Sequence, residues 1–314
     1  MENKNALIIG AAGFVGGYLA EELKNKGYCV TVTKLACESY TGVCDAAVDL
    51  DVTDAEAVAA VIRNTRPGAV YHLAAQSSVA VSWEKPALTV DINVKGAVNL
   101  LEACRREAEQ AVVLLIGSAE EYGKLSPEQC PVSEAQVPCP KNVYAMTKTA
   151  QNMLGRLYYE AYGMRVRMVR AFNHIGPKQA PRFVISDFCR QVAEIEAGKR
   201  EPVMKVGNLE AKRDFTDVRD IVQAYVMLAE GGRDGETYNV GSGRAVSIQE
   251  MLDCILGSSK AEIRVEQDPA RLRPSDVPIY YADISKISSE TGWLPQIDRK
   301  ETVESILDYW RENL

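Results

Sequence analysis

The stretch NALIIGAAGFVGG, residues 5–17, decides the fold. Its first part, Ala6 to Ile9, is aliphatic without interruption, as a strand covered on both faces should be. Its second part places Gly10, Gly13 and Gly16 at G-x-x-G-x-x-G, with Gly17 beyond. Glycines at that spacing let the backbone approach a pyrophosphate. The helix N-terminus that follows offers free N–H groups and the positive end of its dipole. Gly10, Gly13, Phe14, Val15 and Gly16 are therefore expected to hold a dinucleotide. The spacing also suits a plain strand-to-helix turn with packing glycines; its place at the head of a βαβ series favours the dinucleotide.

That series runs outward from residue 5. Apolar runs at 5–10, 28–34, 46–50, 69–74, 111–117 and 166–171 read as strands, and the stretches 14–26, 54–64, 86–108 and 143–162 between them as helices. The alternation predicts an α/β fold of Rossmann type, a doubly wound parallel sheet, over residues 1–175. Past residue 175 the rhythm loosens. A Pro/Gly-rich connection (173–182) leads to an amphipathic helix (183–197) and short strands at 202–207 and 262–267. Residues 176–314 are expected to form mainly a smaller C-terminal α/β substrate-binding lobe. Within them, residues 214–245 are expected to return to the large domain.

The 314 residues are 46% hydrophobic and 25% charged, with a net charge of −7 and a pI near 5.2. That balance speaks against nucleic-acid or membrane-surface binding while leaving room for a local basic pocket. No signal-peptide pattern or membrane-spanning run is visible. Eight cysteines without a C-x-x-C pair, and two histidines, give no basis for a metal site and fit a reducing, cytoplasmic setting.

At the end of the second strand, where NAD-type folds carry an acid for the ribose, this chain has Thr33 and Lys34. A lysine there suits a 2′-phosphate and hence NADP, with NADPH expected over NADH. Asp51 and Val52 are expected beside the adenine, and Asp54 reads equally as a helix N-cap. Further on, NVYAMTK puts Tyr144 and Lys148 four residues apart on one helix face. A neighbouring ammonium is expected to favour the phenolate, which would make Tyr144 a usable proton donor and acceptor. GSAEEYG, residues 117–123, ends a strand at the same edge, so that Ser118 can meet the substrate oxygen that Tyr144 serves.

These segments resemble the extended short-chain dehydrogenase/reductases that act on nucleotide-diphosphate sugars. The resemblance extends over HLAAQSSV (72–79), NVKGAVNLLEA (93–103), YAMTK, RAFNHIGPKQ (170–179), RDFTDVRD (213–220), YNVGSG and RPSDVP (273–278). FNHIGP and RPSDVP are most similar to the branch that handles GDP-mannose derivatives. The resemblance implies Ser118, Tyr144 and Lys148 as the catalytic set, joined by Glu120, and adds Leu73, Ala74 and Ala75 to the cofactor site. It implies Ser77, Ser118, Glu120, Asn173, Arg182, Arg213, Arg273 and Asp276 around a GDP-sugar. His72 and His174, though inside motifs, read as structural. The family also implies a homodimer joined through a four-helix bundle from the stretches 86–108 and 143–162.

Direct hydride transfer to a keto sugar needs a nicotinamide, Tyr144 and Lys148, with Ser118 on the oxygen. Elimination needs a further acid and base. Dehydratases of the family carry an acidic or hydroxyl residue and then glutamate after the position of Ser118; here Ala119 precedes Glu120. The expected reaction is therefore reduction of GDP-4-dehydro-6-deoxy-D-mannose at C4 to GDP-D-rhamnose. Dehydratase or epimerase chemistry on the same scaffold is the alternative. A dinucleotide-binding redox sensor or subunit is the non-enzyme alternative.

Overall fold

The computed structural model describes residues 3–271 and 279–314. Six strands come first in chain order: β1 (Asn5–Ile9), β2 (Cys29–Lys34), β3 (Ala46–Asp49), β4 (Ala69–His72), β5 (Val112–Ser118) and β6 (Val166–Ala171). They pair in parallel in the order β3-β2-β1-β4-β5-β6. The expected doubly wound sheet is thus the one that forms. The strand order reverses between β1 and β4, which opens a crevice at their carboxyl ends.

Side chains alternate across this sheet. Ile8, Val30 and Tyr71 face one apolar core, and Leu7, Ile9 and Val70 the other. Helix α1 (Phe14–Asn25) covers the first face. Helix α2 (Ala55–Thr65) and, after two short helices α3 (Val79–Glu84) and α4 (Pro86–Val90), helices α5 (Gly96–Glu107) and α6 (Val143–Tyr162) cover the second.

The stretch 86–108, expected as one helix, departs from that reading. A π-turn over Asp91–Lys95 separates α4 from α5. Two contacts account for it. Gly96 lies so close to Val52 that a Cβ would come within 2.8 Å of that side chain. The Asn93 side chain turns inward, where it exchanges hydrogen bonds with the Gln76 backbone (2.8 and 3.1 Å) and donates to Thr147 (2.9 Å). Such π-turns place an extra residue where an α-turn cannot.

Beyond β6 the chain continues through β7 (Asn173–Ile175), α7 (Val184–Glu196), β8 (Val203–Val206), β9 (Lys212–Arg213), β10 (Phe215–Asp217) and α8 (Val218–Gly231). Strand β11 (Thr237–Val240) then pairs in parallel with β6 as the seventh strand of the large sheet. Helix α8 joins α1 on the first face. The remaining elements are β12 (Val246–Ser247), α9 (Ile248–Gly257), β13 (Arg264–Gln267), β14 (Ile279–Tyr280), α10 (Ser285–Thr291) and α11 (Arg299–Glu312). Three small sheets, β10-β7, β12-β9-β14 and β13-β8, are built from these short strands. A separate core, including Phe188, Met204, Leu252 and Ile306, lies among α7, α9 and α11.

Candidate active site

The glycine turn between β1 and α1 is shaped by contact on two sides and by space on the third. Gly10 has φ +83°, and a Cβ on it would fall 2.5 Å from the Ala74 Cα. A Cβ on Gly16 would fall 2.1 Å from the Ala11 carbonyl oxygen. Gly13 differs: among the described residues a Cβ there would find nothing nearer than the Gly10 carbonyl, at 3.8 Å. Gly13 is also the N-cap of α1 and offers no side chain to cap it. The first-turn N–H groups of α1 therefore face an open space of the kind a pyrophosphate fills.

Phe14 and Val15 begin α1, and the Phe14 ring stacks on His174 with centroids 5.9 Å apart. The loop after β4 closes the opposite side: the amides of Leu73 and Ala74 both donate to the Ile9 carbonyl (2.9 and 2.8 Å), followed by partly buried Ala75 and exposed Ser77. Lys34, at the end of β2, reaches across to Asp49 on β3 at 2.5 Å. Asp51 is exposed and held below the usual carboxylate range by the Thr53 amide and hydroxyl. Val52 is buried under Gly96, and Asp54 is the N-cap of α2, accepting from the Ala57 amide at 3.0 Å.

The serine turn at the end of β5 is filled. Ser118 caps a 3-10 turn, Ala119–Tyr122, and its hydroxyl accepts from the Glu120 amide at 3.2 Å. The Tyr144 hydroxyl stands beside the Ser118 side chain, which favours its ionised form against the effect of burial. Asn142, the N-cap of α6, accepts from the Ala145 amide at 2.7 Å and donates through Nδ2 to Glu120 Oε2 at 3.2 Å. Glu120 is thus exposed and braces the start of the helix that carries Tyr144. The Ala119 carbonyl takes the hydroxyl of Tyr280.

The Tyr144–Lys148 pair does not behave as its spacing suggests. Burial pushes the Tyr144 phenol up to about 12, with Glu121 and Glu120 adding to the rise. The Lys148 ammonium turns to the Ile116 carbonyl (2.7 Å) and Gln151 Oε1 (3.1 Å). Burial pushes Lys148 down to about 8, and Glu121 opposes the fall. Burial thus holds the group at rest as a neutral phenol, a proton donor.

His72 is fully buried and pushed down to about 3 by burial, hence neutral. His174 bonds the Phe172 carbonyl through Nδ1 at 3.1 Å while stacking on Phe14. Asn173 is exposed on β7. Arg182 is exposed and lies over the Phe183 ring, 5.1 Å from its centroid. Arg213 stands on β9 and donates to the Lys212 carbonyl at 2.9 Å. Arg273 and Asp276 lie outside the described residues.

Two residues near the site escape a reading of the sequence. Asn93 lies within NVKGAVNLLEA, yet nothing in its spacing announces the π-turn that brings it to Thr147 on α6. Glu121 stands beside Glu120 in GSAEEYG but, unlike it, is wholly buried.

The model of the GDP-mannose 4,6-dehydratase family matches residues 7–306. The GDP-6-deoxy-D-mannose reductase of Pseudomonas aeruginosa is 35% identical over 248 residues, 79% of this chain and 82% of that protein. GDP-mannose 4,6 dehydratase 2 of Arabidopsis thaliana is 32% identical, covering 97% of this chain and 86% of its own. The solved structure of RMD from Pseudomonas aeruginosa complexed with NADPH superposes with a TM-score of 0.90 at 30% identity, over 99% of this chain and all of that one.

Proposed function

This chain belongs to the GDP-mannose 4,6-dehydratase family, and we propose that it is the reductase type of that family, converting GDP-4-dehydro-6-deoxy-D-mannose to GDP-D-rhamnose at the expense of NADPH. The observation that carries the reading is the serine turn: Ser118 stands beside the neutral phenol of Tyr144, while the next position, Ala119, is a buried side chain with no proton to give.

NADPH, when bound, supplies hydride to C4. The N-terminus of α1 with Gly10, Gly13 and Gly16, and the loop of Leu73, Ala74 and Ala75, would hold its pyrophosphate. Asp51 and Val52 would hold the adenine, and Lys34 the 2′-phosphate. Ser118 orients the C4 oxygen, and Tyr144 transfers its proton to that oxygen as the negative charge develops. Lys148 keeps the surroundings of Tyr144 positive. Ser77, Asn173, Arg182, Arg213, Arg273 and Asp276 surround the GDP-sugar, the arginines matching its diphosphate in charge. Residues 176–314 form mainly this sugar-nucleotide side, with 214–245 shared with the dinucleotide side.

The reading includes a homodimer. Met146, Met153 and Leu157 lie exposed on one face of α6 at positions i, i+7 and i+11. Helix α5 lies beside α6, joined by Tyr158 donating to Glu102 (3.0 Å), so the two present a ready half of a four-helix bundle. Sedimentation velocity, read against the 34.5 kDa of one chain, checks it. The reading also places the protein in the cytoplasm. Among the described residues no helix is long and apolar enough to cross a membrane, and all eight cysteines are free thiols.

A dehydratase reading has support of its own in the Arabidopsis relative and in Glu120, a carboxylate at the right edge. The bond that Glu120 accepts from Asn142 weighs against it, since it gives that carboxylate a structural task. Two incubations separate the readings. With GDP-4-dehydro-6-deoxy-D-mannose, one NADPH should be consumed per product formed. With GDP-mannose and catalytic NADP⁺, no 4-keto-6-deoxy product should accumulate; its formation at a rate comparable with reductase turnover would overturn the assignment.

A further inference from the structure

Helix α6 presents Tyr144, Lys148 and Asn152 at i, i+4 and i+8, on one face. Each meets a different group from the end of β5 and the turn after it. Tyr144 stands beside the Ser118 side chain, Lys148 donates to the Ile116 carbonyl at 2.7 Å, and Asn152 Nδ2 donates to Glu121 Oε1 at 2.8 Å. Gly117, between them, is held so closely that a Cβ would strike Glu121 Oε1 at 2.3 Å and Asn152 Nδ2 at 2.4 Å.

Glu121 joins these contacts. Its Oε1 also accepts from the Ser118 amide at 2.9 Å, and its Oε2 accepts from Arg170 Nε on β6 at 3.2 Å. Arg170 in turn lies over the Tyr122 ring, 4.6 Å from its centroid. Burial raises the Glu121 carboxyl, while Arg170, the Ser118 amide and Asn152 oppose the rise. Every one of these partners is a donor, an arrangement that the ionised carboxyl satisfies and the protonated one does not. A buried ion pair of this kind contributes little net stability over an apolar pair of equal volume. Its place beneath the serine turn points to another use.

We propose that Glu121 is a positioning residue for the Ser118–Tyr144–Lys148 set: braced from behind by Arg170, its carboxylate fixes the Ser118 backbone and, through Asn152, the face of α6 that carries Tyr144 and Lys148. The inference rests on the reading of Tyr144 and Lys148 as the proton-handling pair. Of the titratable groups facing Lys148, His72 on β4 and Tyr144 on α6 are both neutral near pH 7. Glu121 is the carboxylate that opposes the desolvation of the ammonium, and it acts on Tyr144 as well, followed there by Glu120. The π-turn contributes uncharged Asn93, and Arg170 on β6 spends its charge on Glu121.

The test is Glu121→Gln, which keeps an oxygen for the Ser118 amide and removes the charge. Because that change strands Arg170, the double variant Glu121→Gln/Arg170→Met is measured beside it. Lysine ¹³Cε NMR, with Lys148 assigned by its loss in Lys148→Arg, reads the ammonium without any substrate. In the native protein Lys148 should titrate near 8. In both variants the midpoint should fall by about half a unit or more, a threefold or greater loss of proton affinity. The alkaline limb of turnover should move down with it. An unmoved Lys148 titration in the variants, even with a lowered melting temperature, would overturn the inference, because a purely structural role predicts that pattern. A shifted titration in a protein that does not reduce the keto sugar would leave the inference standing and sink the reductase reading instead.

Discussion

The turns that end β1 and β5 open on the same edge of one parallel sheet, yet they are built in opposite ways. After β1 the chain leaves Gly13 as a bare N-cap, with room around it and the first-turn amides of α1 unclaimed by any side chain of its own cap. After β5 the turn is packed: a capping box closes on Ser118, Glu121 is fully buried, and Tyr280 and Asn142 occupy the two acceptors on its outer side. The first turn recognises through backbone, which needs space. The second orders two hydroxyls and an ammonium, which needs every neighbouring group fixed. A diphosphate can be cradled by amides wherever glycine leaves an opening; a proton donor works only from one position.

The comparison breaks most visibly at Tyr144. Tyr144→Phe keeps the ring and removes the proton, so turnover should fall roughly 100-fold or more while cofactor binding survives. Stopped-flow reduction beside a fluorescence titration with NADPH separates the two, and near-native turnover would remove Tyr144 from the chemistry.

On the open side, Gly13→Ala should leave the fold intact, because the added Cβ meets nothing nearer than the Gly10 carbonyl, at 3.8 Å, among the described residues. It should raise the NADPH dissociation constant about tenfold or more by filling the phosphate space. Calorimetric binding together with a thermal melt of the cofactor-free protein tests this; unchanged affinity would place the pyrophosphate elsewhere.

The smallest effect is expected at Lys34. Because Lys34 already has Asp49 as a partner, a 2′-phosphate must compete with that carboxylate. The preference for NADPH over NADH should be worth about 1 kcal/mol, the scale of one charge-assisted hydrogen bond offset by a lost ion pair. Lys34→Asp should reverse the order of the two Michaelis constants. Equal constants in the native protein would sharpen the comparison, by showing that the open turn reads the pyrophosphate alone.

The six strands from Asn5 to Ala171 and the bounds of α1, α2 and α6 were legible because what makes them is local. Aliphatic runs such as β4 and β6 are buried on both faces, while the edge strand β3 is largely exposed, and apolar residues repeat with the helical period between the strands. The glycine spacing was legible for the same reason, since a positive φ at Gly10 and a close approach at Gly16 are constraints on single residues. The spacing of Tyr144 and Lys148 put both on one face of α6, but not the protonation of either. Desolvation depends on everything packed above them, and it raises the Tyr144 phenol while it lowers the Lys148 ammonium.

What the tertiary structure alone decided is which of two adjacent glutamates serves the outside and which the inside. In the sequence Glu120 and Glu121 are equivalent neighbours, and strand or helix periodicity does not rank them. The 3-10 turn directs one toward Asn142 and the other toward Arg170, 49 residues further along the chain. For β11, within the residues 214–245 expected to return to the large domain, the tertiary structure decided the partner and the direction of pairing. The strand becomes part of the large sheet because β6 offers it an unpaired edge. The chain by itself determined the elements and the chemistry they carry. Long-range pairing determined their electrostatics, because the free energy of a buried charge belongs to its surroundings and not to its own residue.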